Sequence, residues 1–261
     1  MSGSRSSASR SSPSSTKASP SALATQLEAE LKAHAEPVRA VREKAYLKSD
    51  LTFMGATLPA MRHMIRAVKQ RHPRFDRPQL VRLVETLWRR PVFENRMTAV
   101  LLLEAFQSLL QAEDIQLLER LIRESKTWAF VDELAIAITG PLLQRAPTLA
   151  STLDRWASDD DFWIRRAAML ALLLPLRRGH GDFPRFARYA DALLAEREFF
   201  IRKAIGWVLR ETGKRQPELV YNWLLPRCAV ASGVTVREAV KYLSATQRAA
   251  LLAAYQSARR R

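Results

Sequence analysis

The chain has a single cysteine, Cys228, in 261 residues, so neither a disulfide framework nor a cysteine-based zinc site can be built from it. Histidine is scarce too: His34, His63, His72 and His180 are scattered and lack metal-ligand spacing. No metal and no cofactor is expected. No run of about 18 apolar residues occurs, so no transmembrane helix is expected. Eight glycines and short β-branched runs argue against a sheet. Acid is the scarcer charge, with 26 Asp+Glu against 42 Lys+Arg, a net charge of +16 and a pI near 10.8. Such an excess points to a polyanionic partner, nucleic acid first. An anionic membrane is the weaker candidate, because no polybasic cluster adjoins a strongly apolar anchor.

What is present is a large apolar fraction, 48% of the residues, enough for one big domain or one repeat array. Residues 1–20 stand apart, rich in Ser with Arg5, Arg10 and Lys17 and no acid. They lack the apolar segment of a secretory signal and show little of a transit peptide's amphipathic pattern. They are expected to be a disordered tail with weak attraction for DNA. Residues 21–261 are expected to be the folded domain, a monomer in the cytoplasm associated with the nucleoid.

From Ser21, a candidate cap, the chain reads as one helix after another. Leu23, Leu27 and Leu31 repeat every four residues, and Pro37 opens a helix with Val38, Val41, Ala45 and Tyr46. Residues 48–59 carry turn signals. Amphipathic stretches follow around 61–68, 80–88, 93–110 and 115–122. The stretch 128–143 is apolar nearly all round, as a buried helix is. Pro147 opens a helix with Leu149, Leu153 and Trp156, and 162–174 is stopped by Pro175. Further helices fall at 186–194, 199–209, 219–228, 236–243 and 247–255. The fold class is all-α. Trp88, Trp128, Trp163 and Trp207 recur at spacings of 40, 35 and 44, similar to HEAT-type helix pairs of about 40–47 residues. The expected architecture is a HEAT-like or armadillo-type α-α superhelix with a concave basic face shaped for a rod-like polyanion.

Three clusters carry candidate chemistry. Trp128 and Asp132, four residues apart, share a helix face and set an indole beside a carboxylate. Either this pair lines a cleft, or it is an exposed acid beside a half-buried tryptophan. Arg165 and Arg166 diverge by about 100° on a helix, so at most one faces the seam of Trp163 and Ala167. Lys203 and Arg210, seven apart, flank Gly206 and Trp207 on one face. A mid-helix glycine costs about 1 kcal/mol relative to Ala. Close approach of a ligand or of a second helix would each account for Gly206.

The segment from Arg197 to Glu211, with Phe199, Lys203, Gly206, Trp207 and Arg210, resembles the signature of the AlkD-type DNA alkylation-repair glycosylases. Phe162-Trp163-Ile164-Arg165-Arg166-Ala167-Ala168 and Lys126-Thr127-Trp128-Ala129-Phe130-Val131-Asp132 resemble the preceding family segments. Arg237-Glu238-Ala239-Val240-Lys241 resembles the C-terminal helix. Tyr46-Leu47-Lys48, with Phe53, Gly55, Pro59 and Arg62, resembles the N-terminal helix and loop. The resemblance covers residues 40–243. It implies a C-shaped array cradling duplex DNA and excision of N3- and N7-alkylated purines, without the base entering a closed pocket. By position, Asp132 resembles the catalytic carboxylate and Trp128 and Trp207 the aromatic pair flanking the lesion. Arg166 resembles the DNA-contacting arginine and Tyr46 a tyrosine near the cleft. Lys48, Arg165, Lys203 and Arg210 join them as candidate DNA contacts. Ala129 departs from the pattern, since many relatives have Asp after the first tryptophan.

The residue types suit the reaction. Alkylation at N7 or N3 makes the purine cationic and a good leaving group without a general acid. One carboxylate then stabilises the sugar's oxocarbenium character, and it can orient or deprotonate water. Two indoles attract the cationic nucleotide, and arginines hold phosphates without reading sequence. The alternatives are a non-catalytic DNA-binding scaffold on the same fold and a protein-binding solenoid. The latter explains neither the charge nor the paired tryptophans.

Overall fold

The computed structural model describes residues 19–260. The tail expected at 1–20 lies, up to residue 18, outside the described residues. Among the described residues the chain is all-helical. Its helices are α1 Pro20–Ala33, α2 Pro37–Leu47, α3 Leu58–Arg71, α4 Arg77–Trp88, α5 Phe93–Ala105, α6 Ile115–Ser125, α7 Trp128–Glu133 and α8 Gly140–Arg145. The series continues with α9 Ala150–Trp156, α10 Phe162–Leu170, α11 Leu173–Arg177, α12 Phe183–Leu193, α13 Phe199–Gly213, α14 Pro217–Leu224, α15 Gly233–Ala239 and α16 Ala245–Arg260. A π-helical stretch, Leu134–Thr139, joins α7 to α8 without a break. Among the described residues the one extended contact is an isolated parallel bridge between Thr52 and Val92. No described helix is long and apolar enough to cross a membrane.

The array is held by a continuous apolar core from Leu23 to Leu251 and by polar bonds that repeat along it. Arg77 pairs with Asp114, Trp88 with Glu124, Arg123 with Asp159, Trp156 with Glu119, Tyr189 with Asp154 and Arg227 with Asp191. These partners lie 35–37 residues apart. Each unit thus grips the next through side chains one repeat away, as stacked helix-pair arrays do. The tryptophan spacing of 35–44 is not this period, because it mixes two environments. Trp88 and Trp163 are buried in the core, whereas Trp128 and Trp207 are half-buried.

Helix boundaries follow local chemistry. Ser19, not Ser21, caps α1: its Oγ accepts from Ala22 N at 3.2 Å, and Pro20 takes the first helical position, where no N–H is needed. Pro175 does not stop a helix over 162–174. The chain turns at Ala171–Leu172, and Pro175 sits in the first turn of α11, where its missing N–H costs nothing.

The loop between α2 and α3 is pinned from a distance. Glu94, wholly buried at the start of α5, accepts from Met54 N at 2.9 Å and Gly55 N at 2.6 Å. Gly55 adopts φ +86°, and a Cβ there would lie 2.2 Å from Glu36 O and 2.9 Å from Ala40 N. Glycine therefore lets α2 rest directly on this loop, which sets where the end of α2 points.

Candidate active site

Helices from both halves of the chain converge on one cleft of about 550 Å³. Tyr46, Trp128, Ala129, Asp132, Glu133 and Trp207 line it. Trp128 opens α7 immediately after Lys126, which is left-handed at φ 49°, and Thr127, whose Oγ1 accepts from Ala129 N at 3.5 Å. That tight entry fixes the indole at the helix start, and one turn later Asp132 falls on the same face. Tyr46, 73% exposed in the last turn of α2, meets Trp128 edge-on, with ring centroids 6.0 Å apart at 88°. Trp207, half-buried on α13, supplies another wall.

The Asp132 carboxylate is held from behind. Arg166 Nε donates to Oδ1 at 2.7 Å and Nη2 to Oδ2 at 2.8 Å, while Nη1 donates to Phe200 O at 2.5 Å. Arg166 is 3% exposed. It was expected to contact DNA, but its side chain is spent on orienting Asp132, and it does not line the cleft. The pair spans 34 residues, so it is also one of the inter-repeat bonds. Burial pushes the Asp132 carboxyl above its ordinary range, and the Arg166 contact pulls against that shift.

The other basic candidates go elsewhere. Arg165 bonds Asp159 O at 2.5 Å and Asp160 O at 2.9 Å and pairs with Glu196. Lys203 Nζ reaches Glu238 at 2.6 Å, and Arg210 pairs with the same carboxylate. Gly206 lies beneath them, where a Cβ would come 2.7 Å from Glu238 Cβ and 3.0 Å from Thr235 O. Close packing of α13 on α15 therefore accounts for this glycine, not approach of a ligand. Lys48 is exposed at the left-handed end of α2, φ 49°. The same helix exposes Val38 and Val41, at 60% and 72%.

Glu133 is a cleft residue that no motif in the sequence marks. It follows Asp132, lines the same cleft, and accepts from Arg62 Nη2 at 2.8 Å. Arg62 also lies 3.5 Å from Glu104 Oε2. Burial and the neighbouring Glu104 charge push the Glu133 carboxyl upward, and Arg62 opposes them. The available signal was a second acid inside the otherwise apolar stretch 128–143. Among the described residues, no group of three or more His, Cys, Asp or Glu side chains is placed to hold a metal ion.

Residues 27–243 match the family described as DNA alkylation repair enzyme. The chain belongs to that family. No curated protein matches it. Among solved structures it is similar to a predicted DNA alkylation repair enzyme from Enterococcus faecalis, with TM-score 0.73 and 22% identity over 81% of this chain and 98% of that one. It is also similar to AlkD2 from Streptococcus mutans, with TM-score 0.57 and 19% identity over 79% of this chain and all of that one. A third, smu.31 from Streptococcus mutans UA159, aligns at TM-score 0.54 and 18% identity over 70% of this chain. At these identities the structures establish a shared all-α repeat fold. The family match places the chain in alkylation repair, with DNA as the partner this suggests.

Proposed function

We propose that the protein is a DNA glycosylase that hydrolyses the N-glycosidic bond of cationic N3- or N7-alkylated purines in duplex DNA. One observation carries this reading: Trp128, Asp132, Trp207 and Tyr46, distant in sequence, line a single cleft, with the Asp132 carboxylate held from the buried side by Arg166. Asp132 lines the cleft where an oxocarbenium-like sugar would form, and both its oxygens accept from the buried Arg166 guanidinium. A fixed negative charge in a partly desolvated site stabilises developing positive charge strongly. The indoles of Trp128 and Trp207 attract the cationic nucleotide. Because the purine already carries positive charge, it departs without a proton donor. The resemblance to the AlkD-type glycosylases implies recognition at sugar and backbone, so that the base need not be flipped into a closed pocket.

The test is release of 7-methylguanine from methylated duplex DNA by wild type and Asp132→Asn. The expected result is release by the wild type and a loss of about 10²–10³-fold in the variant, the size typical for removing one charge-stabilising group. Duplex affinity should be unchanged or higher, since a negative charge near phosphate is removed. Equal release by both proteins would remove Asp132 from the mechanism. Salt-sensitive binding with no release by the wild type would favour the non-catalytic scaffold.

A further inference from the structure

Two carboxyl systems meet the cleft, and they differ in charge. Asp132 and Arg166 form a closed pair in which both carboxylate oxygens already accept a guanidinium N–H. Glu133 shares its single guanidinium, Arg62, with Glu104. Two carboxylates lie against one guanidinium there, so a proton added to Glu133 relieves repulsion between them, whereas a proton added to Asp132 sits against a buried guanidinium. The cluster also bridges two spaces. Glu133 lines the main cleft, and Arg62 and Glu104, with Arg66 and Lys69 of α3, line an adjoining cavity of about 460 Å³.

We propose that Glu133 is the general base that takes the proton from the attacking water, with Glu104 as the positioning residue that shares Arg62 with it. This rests on the glycosylase reading. In the step, the C1′–N bond breaks and its electron pair neutralises the cationic purine. The water oxygen bonds to C1′, and one water proton moves to the Glu133 carboxylate, which later releases it to solvent. Asp132 stays ionised throughout and answers the charge on the sugar. The groups facing Glu133 fit this division. Arg62 approaches from α3 and Glu104 from α5, Asp132 is its neighbour on α7, and Arg39, Glu43, Tyr46 and Arg177 line the cleft from α2 and α11. Burial and the Glu104 charge both raise its proton affinity, as a base working near neutral pH requires.

Single-turnover release of 7-methylguanine between pH 5 and pH 9 tests the assignment in wild type, Glu133→Gln, Glu133→Asp and Glu104→Gln. Glu133→Gln should lose about 10²-fold in rate, the lower range for a general base, with the Kd for methylated duplex unchanged. Glu133→Asp should restore part of that loss. Glu104→Gln should stay active with its acidic limb moved to lower pH, because Arg62 then serves Glu133 alone. A Glu133→Gln protein with wild-type rate and pH profile overturns the inference and leaves the glycosylase reading intact. A wild type that releases no base overturns both. Should Glu133→Gln fail to fold, an unmoved acidic limb in Glu104→Gln overturns it independently.

Discussion

In the proposed reaction Asp132 is the residue whose environment does most to decide the chemistry, and Arg166 is what makes that environment tolerable. A buried carboxylate without a cation is strongly disfavoured. Arg166→Met should therefore cost about 3–5 kcal/mol in urea unfolding at pH 7, the range for removing one partner of a buried pair. The sign with pH follows from the Asp132 shift. Its carboxyl is raised in the folded protein by burial, so losing Arg166 raises it further. The folded state is then penalised where Asp132 must ionise and spared where it is protonated. The deficit of Arg166→Met should shrink as pH falls through the carboxylate range, and Asp132→Asn in the same background should recover part of it at pH 7. A deficit independent of pH would mean that Arg166 acts by packing alone. At this scale the sequence was partly legible. The four-residue spacing puts Trp128 and Asp132 on one face whatever the rest of the chain does. That Arg166 turns inward is set by a partner 34 residues away, and the sharing of Arg62 between Glu133 and Glu104 depends on three helices. No local pattern encodes either.

Elements show the same division between local and distant causes. The apolar period along each helix is local, so the helices were readable. Their ends were less so: Ser21 looks as good a cap as Ser19 until Pro20 is seen to occupy the first helical position. The fixing of the loop before α3 by Glu94, some 40 residues on, lies beyond any periodicity. The contact of α13 with α15 offers a sharp test. Gly206→Ala gains up to about 1 kcal/mol of helix propensity, but its Cβ would need space that Glu238 Cβ and the Thr235 backbone already occupy. Overpacking of this kind costs about 1–3 kcal/mol. Because Thr235 presents backbone, the contact cannot relax cheaply, so a lower Tm is expected. A higher Tm would show that the helices can slide apart freely. Glu238 adds a pH test at the same seam. Burial works against its ionised form, but Lys203, Lys241 and Arg210 hold its carboxyl down to about 2. A depressed carboxylate stabilises the fold above its unfolded value, near 4.5, and that contribution is lost as pH falls toward about 2. Glu238→Gln should therefore be less stable than wild type at pH 7, with the two unfolding curves converging between pH 4.5 and pH 2.

For the whole molecule, the question is where the surplus of positive charge goes. Many arginines are consumed within the array, because the bonds that join one repeat to the next are largely Arg–carboxylate pairs such as Arg77–Asp114, Arg123–Asp159 and Arg227–Asp191. The acids are too few to match every base, so an excess of +16 remains. Only Arg5, Arg10 and Lys17 of that excess lie in residues 1–20. A long duplex laid along such an array binds chiefly by displacing counterions from its phosphates. With about 6–10 phosphate contacts, affinity for undamaged duplex should fall by about 10³–10⁵-fold between 50 and 200 mM salt. Fluorescence anisotropy across that range measures the slope. Removing residues 1–18 should lower the slope by no more than about three, because each neutralised phosphate contributes about 0.9. Asp132→Asn should leave it unchanged, because it neither adds nor removes a cation that neutralises phosphate. A slope that collapses when residues 1–18 are removed would move the DNA-binding surface from the array to the tail. A slope near zero in the intact chain would break the link between the basic array and DNA altogether.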